Sequence, residues 1–173
     1  TLVGHPSVKD VAGAYLESAN HEVVGAAKVA VSNSEKLLSP ENWSFSSSLN
    51  NKASEHRKMI DLDMGSRWTS NAHMSKSDAM WLMVDFGFPQ RVNTIVMDTT
   101  GSNGDFPRKY EIYVSSSPDD LGAPLVTGKG ATVTAIHCDA IGRYVKIVQS
   151  GKEGPYWSIH ELKINGRPRA PSQ

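Results

Sequence analysis

Met59-Ile60-Asp61-Leu62-Asp63-Met64-Gly65-Ser66-Arg67-Trp68-Thr69-Ser70 places two carboxylates two residues apart, then a glycine, a hydroxyl, an arginine and a tryptophan. Such a run suits no regular element. Met64-Gly65-Ser66 reads as a turn, where Gly65 can take the positive φ that reversing the chain often needs. A tight loop of this kind points several oxygens inward, and hard cations such as calcium take roughly six to eight oxygen ligands. Taken alone, the stretch has two readings: an Asp-rich surface turn closed by a core tryptophan, or a cation loop.

Outward from it, short β-type runs alternate with clusters of Gly, Pro, Ser and Asn, the pattern of an antiparallel sandwich. The candidate strands are 43–47, 80–86, 92–99, 109–115, 131–138, 143–149 and 158–164. Tyr110, Ile112 and Val114 alternate with Glu111 and Tyr113, and Val145 and Ile147 alternate with Tyr144, Lys146 and Val148. The second run is apolar on both faces, which predicts a central strand. Pro89-Gln90, Ser117-Pro118-Asp119-Asp120, Gly128-Lys129-Gly130 and Ile141-Gly142 read as turns. On the N-terminal side, Val8, Val11, Ala12, Tyr15, Leu16 and Ala19 recur at helical spacing behind Pro6 and Ser7. The reading is an all-β antiparallel sandwich over 41–166, a short helical N-terminal extension and linker over 1–40, and a C-terminal tail over 167–173.

The 173 residues suit one domain with a short appendage. Lys+Arg and Asp+Glu are 18 each, so no overall field attracts nucleic acid or an acidic membrane surface. No apolar run approaches the roughly 20 residues that span a bilayer. Cys138 is the single cysteine, which excludes an intrachain disulfide and a cysteine-based zinc site.

Catalytic patterns are absent. The six histidines are scattered, with no HExxH pair, and no GxSxG elbow precedes a helix. Gly101-Ser102-Asn103-Gly104 lacks the lysine layout of a phosphate loop. Binding has more support. Tyr156 and Trp157 follow Gly154-Pro155 and lead into the last strand, and an aromatic there can offer its face to a sugar ring. Trp157 also reads as a plug for the sandwich end, whereas Tyr156 reads as exposed. Polar groups that could fix sugar hydroxyls stand in the loops carrying Asn71 and His73, and Asn103, Asp105 and Arg108.

Several motifs stand in fixed order. They are Trp43, Ile60-Asp61-x-Asp63-x-x-Ser66-Arg67-Trp68, Trp81-Leu82-x-Val84-Asp85-Phe86-Gly87, Asp105-Phe106-Pro107-Arg108-x-Tyr110-Glu111-x-Tyr113-Val114-Ser115, Gly142-Arg143-Tyr144-Val145-Lys146-Ile147 and Trp157-Ser158-Ile159-x-Glu161-Leu162. This order resembles the discoidin-like, coagulation factor V/VIII type C domain, and most of all its bacterial branch, the family 32 carbohydrate-binding modules. The resemblance implies a jelly roll of about eight strands and a non-catalytic module of a secreted, periplasmic or cell-surface protein. Such modules usually accompany glycan-active enzymes, so carbohydrate and neighbouring domains of a larger protein are the implied partners. A protein–protein or cell-surface adhesion module is the alternative. Lipid binding, as in animal relatives, is disfavoured: only Phe106 with Arg108 and Lys109 hints at it.

The resemblance also implies a structural calcium. Carried over, its ligands are the Lys58 carbonyl, Asp61, Asp63, Ser66, the His160 carbonyl and Glu161. Leu62 stands where the family usually has glycine, which predicts a differently bent loop. The implied sugar site departs further. Thr69 replaces a histidine and Thr99-Thr100 an arginine of galactose-binding members, while Asn103 and Tyr156 match. Half the galactose set is therefore missing: either the specificity differs, or the site has moved to His73, Asp105 and Arg108, or this copy binds no sugar. With the loop residues read above, the candidate ligand-binding set is Asn71, His73, Asn103, Asp105, Arg108, Tyr156 and Trp157.

Overall fold

The computed structural model describes residues 35–167. The helical pattern read between Pro6 and Val31 and nearly all of the tail lie outside the described residues. The described chain runs β1 (Lys36–Leu37), β2 (Ser44–Ser47), a helical turn α1 (Ala53–Arg57), β3 (Trp68–His73), a 3-10 turn (Met74–Lys76), β4 (Met80–Asp98), β5 (Tyr110–Ser115), β6 (Val126–Gly128), β7 (Val133–Gln149), β8 (Tyr156–Ile159) and β9 (Glu161–Arg167).

β4 and β7 are the frame. They pair antiparallel from Met80 opposite Gln149 to Asp98 opposite Val133. The sequence reads each as two strands separated by turns at Pro89-Gln90 and Ile141-Gly142. The ladder instead passes through both points, with register shifts between Asp85 and Gln90 and between Val92 and Thr94. Gly87, at φ +81°, lies in the first irregular stretch. Each long strand thereby serves two layers. Before the shift, β4 pairs with β2, while the second half of β7 pairs with β5 and β5 with β6. After it, β4 pairs with β9 and β9 with β1. The result is an antiparallel jelly-roll sandwich, with β3 and β8 forming a separate two-stranded sheet.

Inward positions recur with the period of two that a pleated strand imposes. Leu82, Val84, Phe86, Ile95 and Met97 of β4 meet Ile136, Val145 and Ile147 of β7, Ile112 of β5 and Ile164 of β9 in one buried cluster. Each such side chain contributes about 1.5–3 kcal/mol when fully buried. The half of β7 that is apolar on both faces lies between β4 and β5, a central position as expected. Trp43 packs edge-on against Phe86 at 5.3 Å.

Three further features differ from the sequence reading. Lys36–Leu37, read as linker, pairs with Gly166 and Asn165. The expected strand 158–164 breaks at His160. The His160 N–H donates to Asp98 O while Ile159 pairs across to Trp68, so the chain changes sheets there. Asn71-Ala72-His73, read as a loop, closes β3, with Asn71 at φ +55° where the β3–β8 register shifts.

Candidate functional site

Helix α1 ends at Lys58, and the acidic loop follows. Asp61 Oδ1 accepts the Asp63 N–H at 2.9 Å, and its Oδ2 accepts the Ser66 hydroxyl at 2.6 Å. That hydroxyl also lies 3.3 Å from the Lys58 carbonyl. Leu62 takes the left-handed conformation itself, at φ +63°, with 78% of its surface exposed. Asp63 Oδ1 caps the turn by accepting the Gly65 N–H at 2.8 Å. Leu162 N–H donates to Met59 O at 2.7 Å and fastens the loop's base to β9.

Glu161, only 3% exposed, faces this loop, and its Oε1 has no hydrogen-bond partner. Burial pushes its carboxyl pKa up; Lys163 opposes the shift, and Asp61 adds to it by like-charge repulsion. The Leu62 N–H also steadies the carboxylate, but a buried carboxylate with one oxygen unpaired, beside a second carboxylate, is a setting that a cation relieves. Among the described residues, no three His, Cys, Asp or Glu side chains group as a metal site. The oxygens that meet there are instead those of the Asp61 carboxylate, the Ser66 hydroxyl and the Lys58 carbonyl, faced by the Glu161 carboxylate, donors that suit a hard cation. The residues present fit calcium.

His160 was expected to contribute its carbonyl, but its ring is also placed. Nδ1 lies 2.8 Å from the Met64 carbonyl, which only accepts, so Nδ1 carries a proton and donates. Nε2 lies 2.8 Å from the Ser102 hydroxyl, whose oxygen accepts from Arg67 Nη1. A Cβ on Gly101 would stand 2.4 Å from the imidazole Cε1, so the backbone there packs directly on the ring.

The expected sugar-site residues separate into two groups. Tyr156 is 38% exposed and meets His73 edge-on, ring centroids 4.7 Å apart, because the β3–β8 register sets the two opposite each other. Asn71 and Asn103 are also exposed. Trp157 is not available to a ligand. It is fully buried against Trp68, at 5.2 Å and 87°, and its main-chain N–H donates to Ser70 Oγ. Asp105 is equally committed to the interior: its Oδ2 accepts the Ser158 hydroxyl at 2.7 Å and its carbonyl accepts the Ser158 N–H. Arg108 stacks on Phe106 at 3.9 Å and donates to the carbonyls of Gly104 and Phe106. Its guanidinium lies where a Cβ on Gly154 would stand, 2.7 Å from Nη2, and Gly154 has φ +93°. Arg108 thus braces its own loop and packs against the one at 154, where glycine leaves it room. Lys152, unremarked in the sequence, reaches across the rim to Ser77 O.

A model of the F5/8 type C domain matches residues 42–162. The chain belongs to the F5/8 type C domain family. Solved structures of similar fold are bacterial modules. The family 32 carbohydrate-binding module of C. perfringens NanJ, in complex with galactose, is 20% identical with a TM-score of 0.64, covering 76% of this chain and 99% of that one. The module CpGH89CBM32-5 from Clostridium perfringens, in complex with GalNAc-β-1,3-galactose, is 15% identical with a TM-score of 0.62, over 75% of this chain and 99% of that one. Chitosan-binding module 1 of a chitosanase/glucanase from Paenibacillus sp. IK-5 is 22% identical with a TM-score of 0.57, over 72% and 95%. At these identities the likeness is one of fold. A search of curated proteins found no match. The family assignment accounts for the ordered motifs around Arg67-Trp68 and Trp157-Ser158, which the structure brings into adjacent positions on β3 and β8.

Proposed function

We propose that this F5/8 type C domain is a non-catalytic, calcium-stabilised carbohydrate-binding module that holds a secreted, periplasmic or surface protein on a glycan. The observation that carries the reading is the exposed Tyr156 ring braced by His73. It offers an aromatic face at a surface rim, with the exposed amides of Asn71 and Asn103 as hydrogen-bonding candidates. Aromatic face plus a few polar groups is the chemistry that sugars need. Solved modules of the same fold bind galactose, GalNAc-β-1,3-galactose or chitosan, which supports the ligand class. Thr69 stands where galactose-binding members carry a histidine and Thr99-Thr100 where they carry an arginine, so the specificity proposed here is not that of the galactose set.

Calcium would be held by the Lys58 and His160 carbonyls, Asp61, Ser66 and Glu161, with Asp63 shaping the turn. Bound there, the ion neutralises the two carboxylates and ties the segment after α1 to β9. The protein's own groups hold Tyr156 in place: β3 pairs with β8, and Asp105 anchors Ser158.

Glycan-array screening followed by calorimetry tests the reading. Binding is expected at about tens to hundreds of micromolar, roughly −5 to −7 kcal/mol. No binding at millimolar glycan, with the fold intact, overturns it.

A further inference from the structure

The acidic loop and the glycan face are separate places on the surface, yet a continuous row of side-chain and main-chain bonds joins them. Met64, on the loop, accepts from His160 Nδ1 at 2.8 Å, and His160 Nε2 meets Ser102 Oγ at 2.8 Å. Arg67, just past the loop, donates to the same Ser102 hydroxyl. Ser102 sits in the turn after β4, where its N–H donates to Thr99 O and its carbonyl accepts the Asp105 N–H. Asp105 then holds Ser158 by both side chain and main chain, two residues from Tyr156. The same turn carries the exposed Asn103.

We propose that the His160 imidazole and the Ser102 hydroxyl are positioning groups that couple the acidic loop to the glycan face, so that calcium and glycan each raise the other's affinity. This rests on the calcium and glycan readings above. Without a cation, the buried Glu161 carboxylate and Asp61 repel each other, and Asp61 belongs to the exposed loop that presents the Met64 carbonyl. Holding the loop fixes that carbonyl, which fixes the His160 ring against Gly101 and, through Ser102, the 99–105 turn. Linkage makes the effect reciprocal. The β4–β9 ladder also joins the two regions, with Asp98 opposite Glu161, but it ends where the turn begins. From there a main-chain bond, Ser102 N–H to Thr99 O, also reaches Ser102, but only the side-chain route engages its hydroxyl, so a hydroxyl-deleting variant separates the two.

Hydrogen exchange on the whole chain, with and without calcium chloride, tests this. In the wild type, calcium should slow exchange in both 61–66 and 99–105, the second by about fivefold or more. Ser102→Ala cuts the route while leaving every proposed metal ligand in place. In it, 61–66 should still slow and 99–105 should not, and Ser102→Thr should restore the wild-type response. The proposal is overturned if 99–105 slows equally in Ser102→Ala, or stays unchanged in the wild type while 61–66 responds. No calcium response in 61–66 overturns it too, by removing the calcium reading on which it depends.

Discussion

The Trp68 and Trp157 indoles meet edge to face, 5.2 Å apart at 87°, at the junction of the small β3–β8 sheet with the main core. Neighbouring Tyr156 points the other way, into solvent. Adjacent aromatics thus have opposite roles, because successive side chains of a strand face opposite sides. Trp157→Ala should cost about 3–5 kcal/mol of stability in urea unfolding. Tyr156→Ala should leave the urea midpoint nearly unchanged and weaken glycan binding at least about tenfold, a loss of about 1.4 kcal/mol. Equal stability losses for the two variants would contradict this division of roles.

Calcium should raise the melting temperature and EDTA lower it. At about 100 times its Kd, a ligand that binds only the folded state adds about 2.7 kcal/mol. Glu161→Gln should reverse in sign with conditions. In EDTA it should be neutral or stabilising, since burial makes the ionised Glu161 costly in the fold. In calcium it should melt below the wild type. Calorimetric titration and melting curves under both conditions check the crossover; a wild type indifferent to EDTA would remove the ion from the scheme.

Leu62 holds a left-handed conformation that costs an L-residue about 1–2 kcal/mol. Glycine relieves it but carries more unfolded-state entropy, about 0.5–1 kcal/mol. Leu62→Gly should therefore stabilise the domain by up to about 1 kcal/mol in chemical denaturation. A clear loss of stability would show that the exposed leucine packs on something in solution.

Acid should weaken the fold through His56. Its ring is buried between Phe45 and Trp68, and Nε2 meets Ser47 Oγ at 2.8 Å. Ser47 donates its own proton to Leu49 O, so Nε2 is the donor to Ser47. Burial lowers the His56 pKa. Below about 6.5 the unfolded chain takes up a proton there that the folded chain refuses, so stability rises with pH through this window. The contribution is fully present above about 6.5 and is lost as pH falls toward the folded value. Carboxylates held low by arginine, such as Asp85 beside Arg143, act at lower pH. Urea midpoints at pH 7.5 and 5.5 should differ, and His56→Gln should shrink the difference; an unchanged difference would assign it elsewhere.

The class of the fold was legible in the alternation of Ile112, Val145 and Ile147 with polar neighbours, because a pleated strand buried on one face imposes that period wherever it sits. The run around Val145, which adds Val148 on its other face, was legible as a central strand because a strand covered on both sides carries apolar residues on both. The acidic loop could be recognised too, since its carboxylates, turn and Arg67-Trp68 are local in the chain. Tertiary structure decided what depends on distant segments. Pro89-Gln90 and Ile141-Gly142 look like ends of strands, yet cross-strand bonds carry β4 and β7 through them. Trp157, Asp105 and Arg108 have the chemistry of ligand contacts, and only their partners, Trp68, Ser158 and the Gly104 carbonyl, show them committed to the fold. Glu161 lies far from Asp61 in sequence, and nothing local marks its oxygen as buried and unpaired. That pairing arises from β9 closing on the segment after α1, a long-range contact no periodicity records.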